Sequence, residues 1–119
     1  MKPLIPSLVL SFFAISSAWA DSPVIEAVEA QKNGSTWRFS VTLSHPDTGW
    51  DHYADGWDVR APDGRVLGTR PLAHPHVNEQ PFTRSQSGIV IPDGLDTVEI
   101  WARDTNGDWS SIPFVLPTR

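Results

Sequence analysis

Apolar and polar positions alternate with a period of two along most of the chain. In "TWRFSVTL" (36–43), Trp37, Phe39, Val41 and Leu43 share one face, and Arg38, Ser40 and Thr42 the other. That is the pattern of a half-buried strand. "VIEAVEA" (24–30) precedes it, and Asn33-Gly34 between the two runs is a hairpin signal, because both residues tolerate positive φ. "GWDVRA" alternates through Trp57 and Val59, and "DTVEIWAR" through Val98, Ile100 and Ala102. Pro-Asp-Gly at 62–64 and again at 92–94 punctuates the pattern, and Pro113 in "SIPFVLP" requires an edge position or a bulge. No window of a dozen residues carries the i, i+3, i+4, i+7 repeat of an amphipathic helix. The pattern predicts seven strands, over about 23–31, 35–44, 56–61, 65–70, 82–91, 95–103 and 110–117. Seven short strands at this spacing predict an all-β fold, an antiparallel seven-stranded immunoglobulin-like or fibronectin-III-like sandwich.

The N-terminal segment breaks the alternation. Lys2 is followed by the apolar run "LIPSLVLSFFAISSA" and then by "AWA" at 18–20, the small-x-small pattern of a signal-peptidase site. Residues 1–20 are expected to be a signal peptide and 21–119 a single β-sandwich domain, periplasmic or secreted. The apolar run is short and interrupted by Pro6, Ser7 and Ser11, so no membrane insertion is expected after cleavage. Without Lys2 the 9 basic residues become 8 against 14 acidic ones, a net charge of −6. That sign opposes binding to nucleic acid or to an anionic membrane surface. Cysteine is absent, so an exported domain of this size depends on its core rather than on disulfides.

Antiparallel strand order has a consequence for the connections. Alternate links fall at the same end of the molecule. The first, third and fifth are the tight turns Asn33-Gly34, Pro62-Asp63-Gly64 and Pro92-Asp93-Gly94. The second, fourth and sixth, over 45–55, 71–81 and 104–109, contain all four histidines, His45, His52, His74 and His76. They also contain Asp47, Asp51, Asp55, Glu79, Asp104 and Asp108 with Trp50, Tyr53 and Trp109. One pole is therefore expected to gather the chemistry, as loops at one end of a sandwich commonly do.

His74-Pro75-His76 leads the candidates. Residues two apart on extended backbone point the same way, so both imidazoles could meet one metal ion, with Glu79, His45 or His52 completing the shell. Nitrogen and oxygen donors without sulfur suit Cu(II), Zn(II) or Ni(II). Such binding is expected to weaken in acid, because ligation needs neutral imidazole. The alternative is an irregular loop shaped by Pro71, Pro75 and Pro81, whose histidines bond locally. "HPDTGWDHYADGWD" (45–58) offers acids and aromatics for a cation or a sugar face; its plainer reading puts Trp57 in the core and the Asp and Gly residues in turns. "DTNGDWS" has the alternating oxygens of a calcium loop at Asp104, Asn106 and Asp108. Gly107 and Val115 stand at the wrong loop positions for an EF-hand, however, and a tight hairpin explains the same residues. Phe82 is expected in the core, and Arg84 paired with Glu79 or another acid of the pole.

No nucleophile elbow or selective carboxylate pair is present, so a non-catalytic protein is expected. Two functions follow. One is a carrier or sensor of a divalent metal, Cu or Zn. The other is a module that recognises a periplasmic protein or a glycan through Trp50, Tyr53, Asp55, Arg84 and Trp109. Small exported copper carriers of the copper-resistance type are similar in size and sandwich fold. Their site uses a histidine at the mature N-terminus, where this chain has Asp21. The run "GWDHYADGWDVRAPDGRVLGTRPLAHPHVNEQPFTRS" resembles a family of small exported bacterial proteins of uncharacterised function. That resemblance implies export and a compact β domain.

Overall fold

The structure, a computed structural model, describes residues 22–117. The expected signal peptide lies outside the described residues. Seven strands follow in order: β1 (Val24–Asn33), β2 (Thr36–Ser44), β3 (Ala54–Arg60), β4 (Val66–Pro71), β5 (Phe82–Ile89), β6 (Thr97–Asp104) and β7 (Trp109–Val115). They form two antiparallel sheets, β1-β2-β5 and β4-β3-β6-β7. All seven sequence-derived strands correspond to these, with ends displaced by up to a few residues. The shift at the start of β3 recruits Ala54, which pairs with Asp104.

Alternation explains the layers. Trp37, Phe39, Val41 and Leu43 of β2 face Trp57 and Val59 of β3 and Val98, Ile100 and Ala102 of β6, all 2% exposed or less. Each of the larger aliphatic and phenylalanine side chains contributes roughly 1.5–3 kcal/mol by leaving water. Phe82 and Ile89 close the core from β5, and Leu72 from the loop between β4 and β5. Gly34 takes φ +64° in the β1–β2 hairpin, where a side chain would be strained. Gly68 has another reason. A Cβ there would lie 2.8 Å from Ile89 Cγ1, so β4 and β5, at the margins of opposite sheets, approach through it. β7 is an edge strand, and Pro113 sits in it without breaking a central ladder.

The strand registers fix one pole. Leu43 pairs with Phe82, Gly56 with Pro71, and Arg103 with Trp109. The end of β2 and start of β5 therefore lie together, as do the start of β3, the ends of β4 and β6, and the start of β7. The connections 45–53, 72–81 and 105–108 gather there. The inward rows also run on past the apolar residues. On β2 the row Trp37, Phe39, Val41, Leu43 continues into His45, and on β6 the row Val98, Ile100, Ala102 ends in Asp104. Both polar residues are buried, at 3% and 2% exposure. The hydrophobic core is thus capped at this pole by an imidazole and a carboxylate.

Candidate metal centre

Asp104 is the centre of the pole. Its Oδ2 lies 3.1 Å from His45 Nε2 and 3.1 Å from His52 Nε2. Its Oδ1 accepts the backbone N–H groups of Asn106 and Asp108, at 3.0 Å each. The β6–β7 turn therefore uses one oxygen and leaves the other for the two rings. That is the hairpin reading of "DTNGDWS", with Asp104 Oδ1 organising the turn. Burial pushes the Asp104 carboxyl up. The N–H of Asp108, the His52 and His45 rings and the N–H of Asn106 outweigh that effect, and the group sits below the usual carboxylate range.

Asp47 fixes His45 from the other side. Asp47 Oδ1 lies 2.5 Å from His45 Nδ1 and accepts the N–H of Ala54, while Oδ2 accepts the N–H of His76 at 2.7 Å. A carboxylate only accepts, so Nδ1 of His45 carries a proton and Nε2 is aimed at Asp104. His52 enters from a small turn in which Thr48 N–H reaches His52 C=O and His52 N–H reaches Gly49 C=O. Its side chain is 17% exposed, while those of His45 and Asp104 are closed to solvent. The His45 and His52 rings meet edge to face at 4.8 Å.

Among the described residues, His45, His52 and Asp104 form a group whose donor atoms all lie within 4.8 Å of one another. Two ligands at about 2.05 Å from a tetrahedral ion stand about 3.3 Å apart, close to the two 3.1 Å edges found here. The same spacing suits hydrogen bonds, in which Oδ2 accepts from both rings and His45, also donating to Asp47, carries two protons. The cluster can thus hold either protons or a cation between the same atoms.

The H-x-H pair is placed otherwise. The His74 and His76 rings are near each other, 4.7 Å between centroids, but they stand outside the donor group. His76 is 5% exposed and stacks on Phe82 at 3.9 Å. Its Nε2 faces Arg84 Nη2 at 2.9 Å, so the guanidinium takes the lone pair that a metal would need. Its Nδ1 is buried without a hydrogen-bond partner. His74 is exposed, with Nδ1 3.0 Å from the carbonyl oxygen of Pro75. Glu79 is exposed and pairs with Arg84 at 3.4 Å, the pairing expected of that arginine.

The binding candidates divide. Trp50 is 70% exposed, with Tyr53 edge-on at 5.7 Å. Trp109 belongs to a different surface, the outer face of the four-stranded sheet. There it meets Trp101 at 6.0 Å and lies under Arg60 and Arg103 at 4.9 and 5.7 Å. Asp55 is engaged by Arg103 at 3.2 Å. The order of the strands puts Asp47 and Asp104 at the pole, but the spacing of the histidines does not mark either as part of the donor set. The signal for Asp104 is its phase, two residues beyond Ala102 on an inward row. Nothing in the sequence marks Asp47 as the acceptor for His45.

Burial, then the Arg84 guanidinium, then His74 depress the His76 pKa, against weaker pulls from Glu79 and Asp47. The folded state thus takes up this proton at lower pH than the unfolded chain. The contribution to stability is full above the ordinary histidine value near 6.5 and declines as pH falls from there through the lowered folded value. The urea midpoint should therefore drop between about pH 7 and pH 5, and His76→Phe should flatten that slope. A slope unchanged in the variant would assign the acid sensitivity elsewhere.

No family model matches the chain. It is 36% identical over 98 residues to a protein of Halomicrobium mukohataei named "Putative lipoprotein", over 82% of this chain and 48% of that one. The chain spans about half the length of that curated relative. A solved structure, a hypothetical protein of Pyrococcus horikoshii, is similar with a TM-score of 0.56 over 83% of this chain and 91% of the other. At 12% identity that likeness shows a shared fold alone. Among the described residues no helix is long and apolar enough to cross a membrane.

Proposed function

We propose that this protein is an exported, non-catalytic β-sandwich that binds one divalent transition metal ion, Cu(II) or Zn(II), at its loop pole through His45, His52 and Asp104. The observation that carries this reading is the convergence of three N and O donors, two of their spacings at 3.1 Å and all within 4.8 Å, with His45 held by Asp47 from behind. Carboxylate-held imidazoles are the usual arrangement behind metal-binding histidines. Two supports bear on export: the apolar leader at 1–20 and the lipoprotein name of the Halomicrobium relative. The order β1-β2-β5 against β4-β3-β6-β7 supports an immunoglobulin-like or fibronectin-III-like identity for the sandwich. His52, the one partly open ligand, is the route of entry.

Calorimetry with Zn(II) and Cu(II) on the purified protein tests the site. Saturable binding to one site is expected, with a His52→Ala variant at least about tenfold weaker and a His74→Ala variant unchanged. Failure of both ions to bind more tightly than about 1 mM, a bare −4 kcal/mol, rejects the reading. Equal affinity in His52→Ala does the same.

The exposure of Trp50 over Tyr53 favours a second reading, a module that docks a periplasmic protein or a glycan on this aromatic pair. Under that reading chelation leaves partner capture intact, and Trp50→Ala abolishes it.

A further inference from the structure

The 72–81 loop supplies no ligand to the centre, yet it is tied to it twice. Asp47 accepts from His45 Nδ1 with one oxygen and from His76 N–H with the other. Gln80 accepts the N–H of His45 at 3.0 Å and donates to the carbonyl of His76 at 2.9 Å. His76 in turn stacks on Phe82 of the core and receives Arg84. The Asp47 side chain is closed to solvent, so water does not readily replace either bond.

We propose that Asp47 is the positioning residue of the centre and couples metal occupancy to the closure of the 72–81 loop. The inference rests on the metal reading above. Asp47 holds the proton of His45 on Nδ1 and so commits Nε2 to the ion. Its orientation is fixed at two points, by the Ala54 N–H on Oδ1 and by the His76 N–H on Oδ2. Opening the loop removes the His76 bond and the Gln80 bridge, so His45 loses its backbone restraint and Asp47 loses one of the two contacts that fix it. Occupancy and loop closure then favour one another by the same free energy, as linkage requires. The bridge needs two acceptor oxygens on one side chain. Asparagine has the same shape but only one.

The test is amide hydrogen exchange by NMR on the purified protein, with and without Zn(II). In the wild type, saturating Zn(II) should slow exchange of the His76 amide by at least about tenfold, with up to about a hundredfold expected at one hundred times the dissociation constant. In Asp47→Asn, Zn(II) should no longer slow His76, and the ring nitrogen shifts of His45 should no longer report a single Nδ1–H form. Those ring shifts would not move if Asp47 merely stabilised the fold. Zn(II) binding to the wild type without slowing of His76 overturns the coupling and leaves the metal reading standing. So does full slowing retained in Asp47→Asn. Absence of Zn(II) binding to the wild type overturns the coupling as stated for that ion, and the metal reading falls with it when Cu(II) also fails to bind in the calorimetry. The wild-type comparison decides even if the variant does not fold.

Discussion

Replacing Asp104 by alanine should remove about 3–5 kcal/mol of stability and abolish metal binding with it. Four donors converge on this one carboxylate: the His45 and His52 rings on Oδ2, and the N–H groups of Asn106 and Asp108 on Oδ1. Alanine satisfies none of them. The two amides of the turn are partly open, and water can recover much of their loss. The His45 ring is fully buried, and its Nε2 would face an apolar gap at the end of the core. A buried group stripped of its charged partner is among the few changes that destabilise this strongly. A domain of this size has a total stability of roughly 5–15 kcal/mol, so the loss is a large fraction of it. Urea unfolding measures it, with the midpoint shifted and the slope retained if the fold survives. A loss under about 1 kcal/mol would mean that the cluster is not what closes this pole.

The sequence carries the strands clearly because each inward row is long enough to repeat. Trp37, Phe39, Val41 and Leu43 leave no choice of face. The turns at Asn33-Gly34 and Asp63-Gly64 need residues that accept positive φ, and they carry them. Strand count then places the loops, so the gathering of His45, His52, His76 and Asp104 at one pole follows from chain direction alone. The identity of the donor set does not follow from it. His74 and His76 are two apart and look like a pair, but pairing in sequence says nothing about what else is near. Arg84 lies two residues past Phe82 on β5, and only the packed structure puts its guanidinium on the His76 nitrogen. The apolar row ends at Leu43, which by polarity alone makes His45 a loop residue that only completes a shell. Its phase continues that row, and phase rather than polarity decides which way a side chain points. The same holds for Asp104 after Ala102. A polar residue in phase with a core row, at a strand end, is the readable trace of a buried site.

The other large effect belongs to Trp57, and here the size of the loss depends on which atoms are removed. Trp57 lies on β3, flanked by β4 and β6, opposite Arg70 and Ala102, with no solvent exposure. Trp57→Ala should destabilise by roughly 3–5 kcal/mol, the range for emptying a large aromatic from a core. The indole N–H is buried and has no hydrogen-bond partner. An orphaned buried donor costs about 1–3 kcal/mol, and Trp57→Phe removes that donor along with one ring. The loss of contact area and the relief of the donor act in opposite directions. Trp57→Phe should therefore fall within about 1.5 kcal/mol of the wild type. Matched urea titrations of the two variants separate the terms. A phenylalanine variant as unstable as the alanine variant would mean that shape, not area, governs this position, and that the indole N–H carries no penalty there.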